Sequence, residues 1–233
     1  GPVVNQSLVT LCVNLGWENL NVAQELSSRA GVPVKAANDA NLAALGEAWQ
    51  GTGKGCRNLV LFTVGTGVGG GVICDGRIVA GATGAGGEVG HMTVPFHPDW
   101  ECCCGRKGCL EVTSSATGII RAARQFSPFK EMDKVTAKDV YDAAAAGDEN
   151  AQAVVKEAGN ALGYAAAAVS SVVNPEIILL GGGVSAAGSA LLGPVEASFK
   201  ANVLSACAGV RFALAQLGNN AGIYGGAALF FTE

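Results

Sequence analysis

The sequence is short of charge. Only 15% of its residues are Asp, Glu, Lys or Arg, against about 25% in an average soluble domain. With 49% apolar residues, this excludes a disordered chain and demands extensive burial, because few side chains suit solvent. A basic excess is absent too. The net charge of −4 gives no electrostatic footprint for nucleic acid. No apolar run reaches membrane-spanning length, and "AAAAVSSVV" reads as a small-residue core helix. No signal-peptide pattern opens the chain. It starts at Gly1-Pro2 without a methionine and reads as if already inside a loop, so the expectation is a fragment of a longer protein.

What is abundant is glycine, at 34 residues of 233, about twice the usual ~7%. The glycines follow apolar strands, which assigns them to tight loops. The length allows one large domain or two lobes. Cys12, Cys56, Cys74 and Cys207 are scattered in apolar segments, as buried thiols of a reducing cytoplasm would be.

"VAQELSSRAG" (22–31) has helical spacing and a glycine stop. "VPVKAAND" reads as a short strand ending at Asn38-Asp39, and "ANLAALGEAWQG" as a helix with Asp39 near its start. "NLVLFTVGTGVGGGVICDGRIV" reads as strand, glycine loop, strand, Asp-Gly turn, strand. The following helices are predicted in "EVTSSATGIIRAARQF", "TAKDVYDAAAAG" behind a Thr cap, and the long "NAQAVVKEAGNALGYAAAAVSSVVNP". "EIILLGGGVSAAGSALLGPVEASFKANV" reads as a buried strand, a glycine turn and a helix, and "AGIYGGAALFF" as a closing helix. The class is α/β.

Half of the eight cysteines fall in "HMTVPFHPDWECCCGRKGCLE" (91–111). Zinc takes four nitrogen or thiolate ligands in a tetrahedron, and this stretch supplies His91, Cys102, Cys104 and Cys109. Gly105 and Gly108 allow the backbone to fold back so that Cys109 returns to the metal. Cys103 points away by alternation. Disulfides and inert thiols are the rival readings. Adjacent cysteines strain a local disulfide, which favours zinc, as a structural site because the ligand set is closed. The second ring nitrogen of His91 could then orient a substrate hydroxyl.

"VGTGVGGG" (64–71) matches a dinucleotide fingerprint by pattern, but a strand rather than a helix follows, so that reading fails. The loop joins two strands, and its N–H groups with the Thr66 hydroxyl can cradle a phosphate. A plain glycine hairpin remains the alternative. "LLGGGV" (179–184) ends a strand, and its small residues permit close approach of a flat ligand or of another element. Asp39 suits a helix cap as well as a catalyst. Glu88 and Glu111 flank the metal turn, where acids beside an imidazole suit recognition of vicinal hydroxyls.

"GGEVGH" followed by "CCCGRKGCLE" resembles the signature of the ROK family of bacterial sugar kinases and sugar-responsive repressors. The order NDAN, VGTGVGGG, GExGH, CxCGxxGCLE, LLGGG is that family's order, over essentially the whole chain. "NDANLAALGEAW" and "CLEVTSSATGI" most resemble its glucokinase members. The resemblance implies a two-lobed actin/hexokinase/Hsp70-like (ribonuclease H-like) fold with sugar and ATP in the cleft. The lobes implied are 1–40 (small), 41–220 (large, with the zinc turn 91–109) and a C-terminal helix, 221–233, returning towards the small lobe. Asp39 is then the general base for the sugar 6-hydroxyl. Asn38, Asp39, Glu88, His91 and Glu111 hold the sugar. Gly65, Thr66 and Gly67 meet the phosphates of ATP, and Gly182 and Gly183 lie against adenosine. Mg²⁺ accompanies ATP.

The expected activity is ATP-dependent phosphorylation of a hexose, foremost glucose to glucose 6-phosphate, by a cytoplasmic glycolytic homodimer or homotetramer. Mannose, fructose and N-acetylated hexosamines stand beside glucose, because one group in a pocket changes selectivity only modestly. The family's opening Asp-x-Gly-Gly-Thr phosphate loop does not occur here, so the first strands of the small lobe are expected to be missing. Cys103 is an extra thiol at a variable position. Two alternatives stay open: a sugar-responsive repressor whose DNA-binding part precedes residue 1, and a zinc-binding fragment that catalyses nothing.

Overall fold

Three short strands open the chain: β1 (Val3–Val4), β2 (Leu8–Cys12) and β3 (Trp17–Asn21). They form an antiparallel sheet in that order, with Val3 opposite Val9 and Leu8 opposite Asn21. Gly1 and Pro2 carry no element, as the loop reading expects, and the three strands that follow are an addition to the sequence reading. The β1–β2 turn uses positive φ at Asn5 and Gln6 (51° and 53°), polar residues that hide a hairpin from a search for glycine turns. The computed structural model describes residues 1–12 and 15–231. The chain divides into two units, Gly1–Leu61 with Gly70–Glu88 and Ala215–Glu233, and Phe62–Gly69 with Val89–Leu214.

In the first unit, α1 (Val22–Ala30) starts at Asn21, whose side chain accepts from Gln24 N, and stops at Gly31 with φ 70°. The next segment was expected as a strand and is not one. Residues 33–38 run without a ladder, tied to their surroundings by Ala36 N–H to the Gln6 carbonyl at 2.7 Å and Val34 N–H to Ser27 Oγ at 3.0 Å. Helix α2 (Asp39–Gln50) packs on the closing helix α8 (Ala221–Phe231). A Cβ on Gly46 would collide with the Ala221 carbonyl, and one on Gly225 with the Leu42 carbonyl. Glycine at both points is what lets the two helices touch backbone to backbone. Glu47, fully buried, accepts the N–H groups of Thr52 (2.9 Å) and Leu217 (2.7 Å). It thereby ties the end of α2 to the loop before α8.

A second sheet has β4 (Leu59–Val64), β5 (Val68–Cys74), β6 (Arg77–Ile78), β7 (Ile177–Gly181) and β8 (Arg211–Leu214) in the order β6-β5-β4-β7-β8. The boundary between the units falls within β4 and β5. Asp75 and Gly76, at φ 49° and 78°, make the tight turn into antiparallel β6, as the Asp-Gly pair predicts. β7 and β8 are parallel, with Ile177 opposite Arg211. Every residue of β7 is buried, as expected of a strand covered on both faces. Each fully buried Ile or Leu there contributes about 1.5–3 kcal/mol. β8 is an addition to the sequence reading; its "RFAL" is too short to show a period.

In the second unit, the stretch predicted as one helix from Glu111 is two: α3 (Leu110–Ser114) and α4 (Ala116–Ala123). Ser115 separates them in an extended conformation, its side chain capping Gly118 N. α5 (Ala137–Ala145) carries a capping box between Thr136 and Asp139, which holds its first turn. α6 (Glu149–Val173) is the long buried helix, ended by Asn174 in the left-handed region. It packs on α7 (Ser189–Asn202), with Gly159 and Gly163 against Pro194 and Val195. Among the described residues no helix is long and apolar enough to cross a membrane.

Candidate functional site

The cysteine turn lies wholly in the second unit. Its frame is a small hairpin: Glu101 bridges Lys107, Cys102 N–H donates to the Arg106 carbonyl at 2.8 Å, and Gly108 N–H to Trp100 O at 3.0 Å. Gly105 and Gly108 sit at φ 83° and 68°, which a side chain would resist. The chain then returns alongside residues 92–94, through Val94 N–H to Gly108 O and Leu110 N–H to Met92 O. This brings Cys109 back opposite the 3₁₀ turn Val89–His91.

Two overlapping groups result: the four residues His91, Cys102, Cys104 and Cys109, and a smaller one of Cys102, Cys103 and Glu111. The ligand atoms of His91, Cys102, Cys104 and Cys109 lie within 4.8 Å of one another. Cys102 Sγ is 3.6 Å from His91 Nδ1, and Cys104 Sγ is 3.7 Å from Cys109 Sγ. A tetrahedral zinc ion, with metal–sulfur bonds of about 2.3 Å and metal–nitrogen bonds of about 2.0–2.1 Å, sets those edges near ~3.6 Å and ~3.8 Å. The residues therefore fit the ion. Burial, with help from the Cys102 and Cys104 sulfurs, pushes the metal-free Cys109 thiol up to about 12. A thiolate at that position needs a cation beside it. Nδ1 faces the sulfurs, leaving Nε2 as the free ring nitrogen of His91. All eight cysteines are free thiols. Cys103 is exposed and sits outside the four, with Sγ 3.3 Å from Glu111 Oε1.

Glu111 also reaches the glycine loop. Its Oε2 accepts Val68 N–H at 3.0 Å, and a Cβ on Gly67 would strike that oxygen. Just downstream, Ala116 N–H donates to the Gly65 carbonyl and the Thr117 hydroxyl to the Thr66 carbonyl, both at 2.8 Å. Within the loop, Gly65 N–H donates to Gly67 O at 2.9 Å. Among the described residues, no acceptor takes the N–H groups of Thr66 and Gly67. Two adjacent amides are thus left for a ligand, a nest suited to an anion.

A cavity of about 520 Å³ opens beside this loop, lined by Gly65, Thr66, Ala116, Lys138, Tyr141 and Gly183 among others. Gly182, at φ 84°, lies so close to the end of β4 that a Cβ would run into the Val64 carbonyl. That contact sets the β7 glycine turn against the end of β4. Lys138 and Tyr141, on α5, were not singled out from sequence. The Thr136 capping box marks the start of α5, but nothing local places its first turns at the loop. Burial raises the Tyr141 phenol above its usual range.

The first unit carries the other predicted residues. Asn38 is the N-cap of α2, accepting Ala40 N–H at 2.9 Å and Asn41 N–H at 3.2 Å. Asp39 is the first helical residue, exposed, with no hydrogen-bond or ion-pair partner for its carboxylate among the described residues. The capping alternative for Asp39 is thereby answered: its neighbour does that work. Glu88 is exposed.

The fold places the chain among the α/β proteins of actin/hexokinase-like architecture. A solved ROK-family glucokinase from Streptomyces griseus, in complex with glucose and AMPPNP, superposes with a TM-score of 0.82 at 31% identity, covering 96% of this chain and 76% of that one. The chain belongs to the ROK family, which it matches over residues 1–233. A glucokinase of Halalkalibacterium halodurans is 45% identical over 225 residues, 92% of this chain and 68% of that protein. A xylose repressor of Caldicellulosiruptor bescii is 31% identical over 193 residues, 79% of this chain and 48% of the repressor.

Proposed function

We propose that the protein is an ATP-dependent hexose kinase, with glucose as the first substrate and glucose 6-phosphate as product. The observation that carries this is the pair of unspent amides at Thr66 and Gly67 beside the cavity. A protein that only binds sugar has no use for an anion nest. ATP, as its Mg²⁺ complex, places its phosphates on Gly65, Thr66 and Gly67 and its adenosine against Gly182 and Gly183. Phosphoryl transfer depends on positioning and charge stabilisation more than on covalent work by the protein.

Asp39 is proposed as the general base. Its carboxylate is free of the helix cap and so available to take the proton of the sugar 6-hydroxyl. Asn38, Glu88, His91 and Glu111 are assigned to the remaining hydroxyls. His91, Cys102, Cys104 and Cys109 would hold zinc, whose bond at Nδ1 fixes the ring and leaves Nε2–H as a donor. The free, scattered thiols fit a reducing cytoplasm.

The repressor alternative has a relative to favour it and predicts sugar binding without nucleotide turnover. The test is ADP release by the purified protein across glucose, mannose, fructose and N-acetylglucosamine. Turnover with glucose foremost supports the assignment. Sugar binding with no nucleotide binding would favour the repressor reading.

A further inference from the structure

The glycine loop is Gly65-Thr66-Gly67, three residues between two strands, and its backbone could adopt several orientations. The amides available to a ligand are those of Thr66 and Gly67. Each belongs to a planar peptide unit whose carbonyl, one residue back, points the opposite way. The carbonyl sharing a plane with Thr66 N–H is that of Gly65, and Ala116 N–H holds it at 2.8 Å. The carbonyl sharing a plane with Gly67 N–H is that of Thr66, and the Thr117 hydroxyl holds it at 2.8 Å. The first two residues of α4 therefore grip the back of both peptide planes whose fronts are unspent.

We propose that Thr117, with the backbone of Ala116, is the positioning element of the phosphate loop: it aims the Thr66 and Gly67 amides at the phosphates of a nucleotide. This rests on the nucleotide reading above. Thr117 touches no reacting atom in this account and acts only through Thr66. Nothing about folding demands a hydroxyl there, since Thr117 is exposed. The grip also starts seven residues after Cys109, so the loop contacts the segment that follows the cysteine turn.

Two variants separate the anchors. Thr117→Val removes the hydroxyl and keeps the shape; Thr117→Ser restores the donor. Ala116→Pro removes the other donor at the first helical position, where proline is tolerated. Ser115, at φ −71° and ψ 163°, already has the conformation that precedes proline. The experiment is calorimetric titration with Mg·AMPPNP and, separately, with glucose, alongside the thermal midpoint of each variant. Thr117→Val should bind the nucleotide roughly 3–10-fold more weakly, the size of one lost hydrogen bond. Ser should recover the wild-type value, glucose affinity and thermal midpoint should hold, and Ala116→Pro should show the same nucleotide-only loss. Equal nucleotide affinity in wild type, Thr117→Val and Ala116→Pro would overturn the positioning role while leaving the nucleotide reading intact. No nucleotide binding by the wild type would overturn both.

Discussion

Asn38 Oδ1 accepts the amide hydrogen of Ala40 at 2.9 Å, so the helix that begins at Asp39 is capped without the Asp39 carboxylate. The cap is thus made by Asn38, and the Asp39 carboxylate is not used for it. In Asp39→Asn, kcat should fall at least ~10²-fold, as for a lost general base, while glucose affinity and the thermal midpoint change little. Asn38→Ala should cost about 1 kcal/mol of stability as a lost cap does, and should also weaken glucose binding. Near-full turnover in Asp39→Asn, by steady-state assay, would return Asp39 to a structural role.

The metal turn makes a contrast between neighbouring thiols. Cys104→Ser should lose zinc, measured by elemental analysis, and lower the thermal midpoint, because metal binding and folding of such a turn are coupled. Cys103→Ser should keep its zinc, since Cys103 lies outside the four-atom cluster. Equal loss from both would sink the ligand assignment.

Acid should release the metal. The metal-free Cys109 thiol is pushed up to about 12, so binding must expel its proton, and apparent zinc affinity must fall as pH is lowered. A competition titration against a chelator at several pH values reads this directly. An affinity that rose towards acid pH would contradict thiolate ligation.

Glu47 is a structural carboxylate. It is fully buried and satisfies the Thr52 and Leu217 amides. Glu47→Ala leaves both donors without that acceptor and should cost roughly 2–4 kcal/mol, seen as a lower unfolding midpoint. A midpoint within error of wild type would show that the two loops find other partners.

The cysteine turn, the glycine loops and the long helices are legible in the sequence because each is fixed by local chemistry. Cysteine spacing, Gly105 and Gly108 at positive φ, and the Thr136 cap all act within a few residues. Residues 33–38 misled for the same reason. "VPV" alternates like a strand, but a ladder depends on a partner that local spacing does not report. Ser115 ends one helix and caps the next, and a run such as "TSSATG" does not show which way such a serine acts. Lys138 and Tyr141 reach the cavity through tertiary packing of α5, more than 70 residues from the loop they approach. That Asn38 and not Asp39 caps α2 is readable only from the geometry, since either side chain suits a cap in sequence.

The most direct test of the central claim is ³¹P NMR of the purified protein with Mg·ATP and glucose. A sugar phosphate resonance from glucose 6-phosphate should grow in step with ADP. ATP left intact beside bound glucose, or split to inorganic phosphate with no sugar phosphate formed, would contradict it.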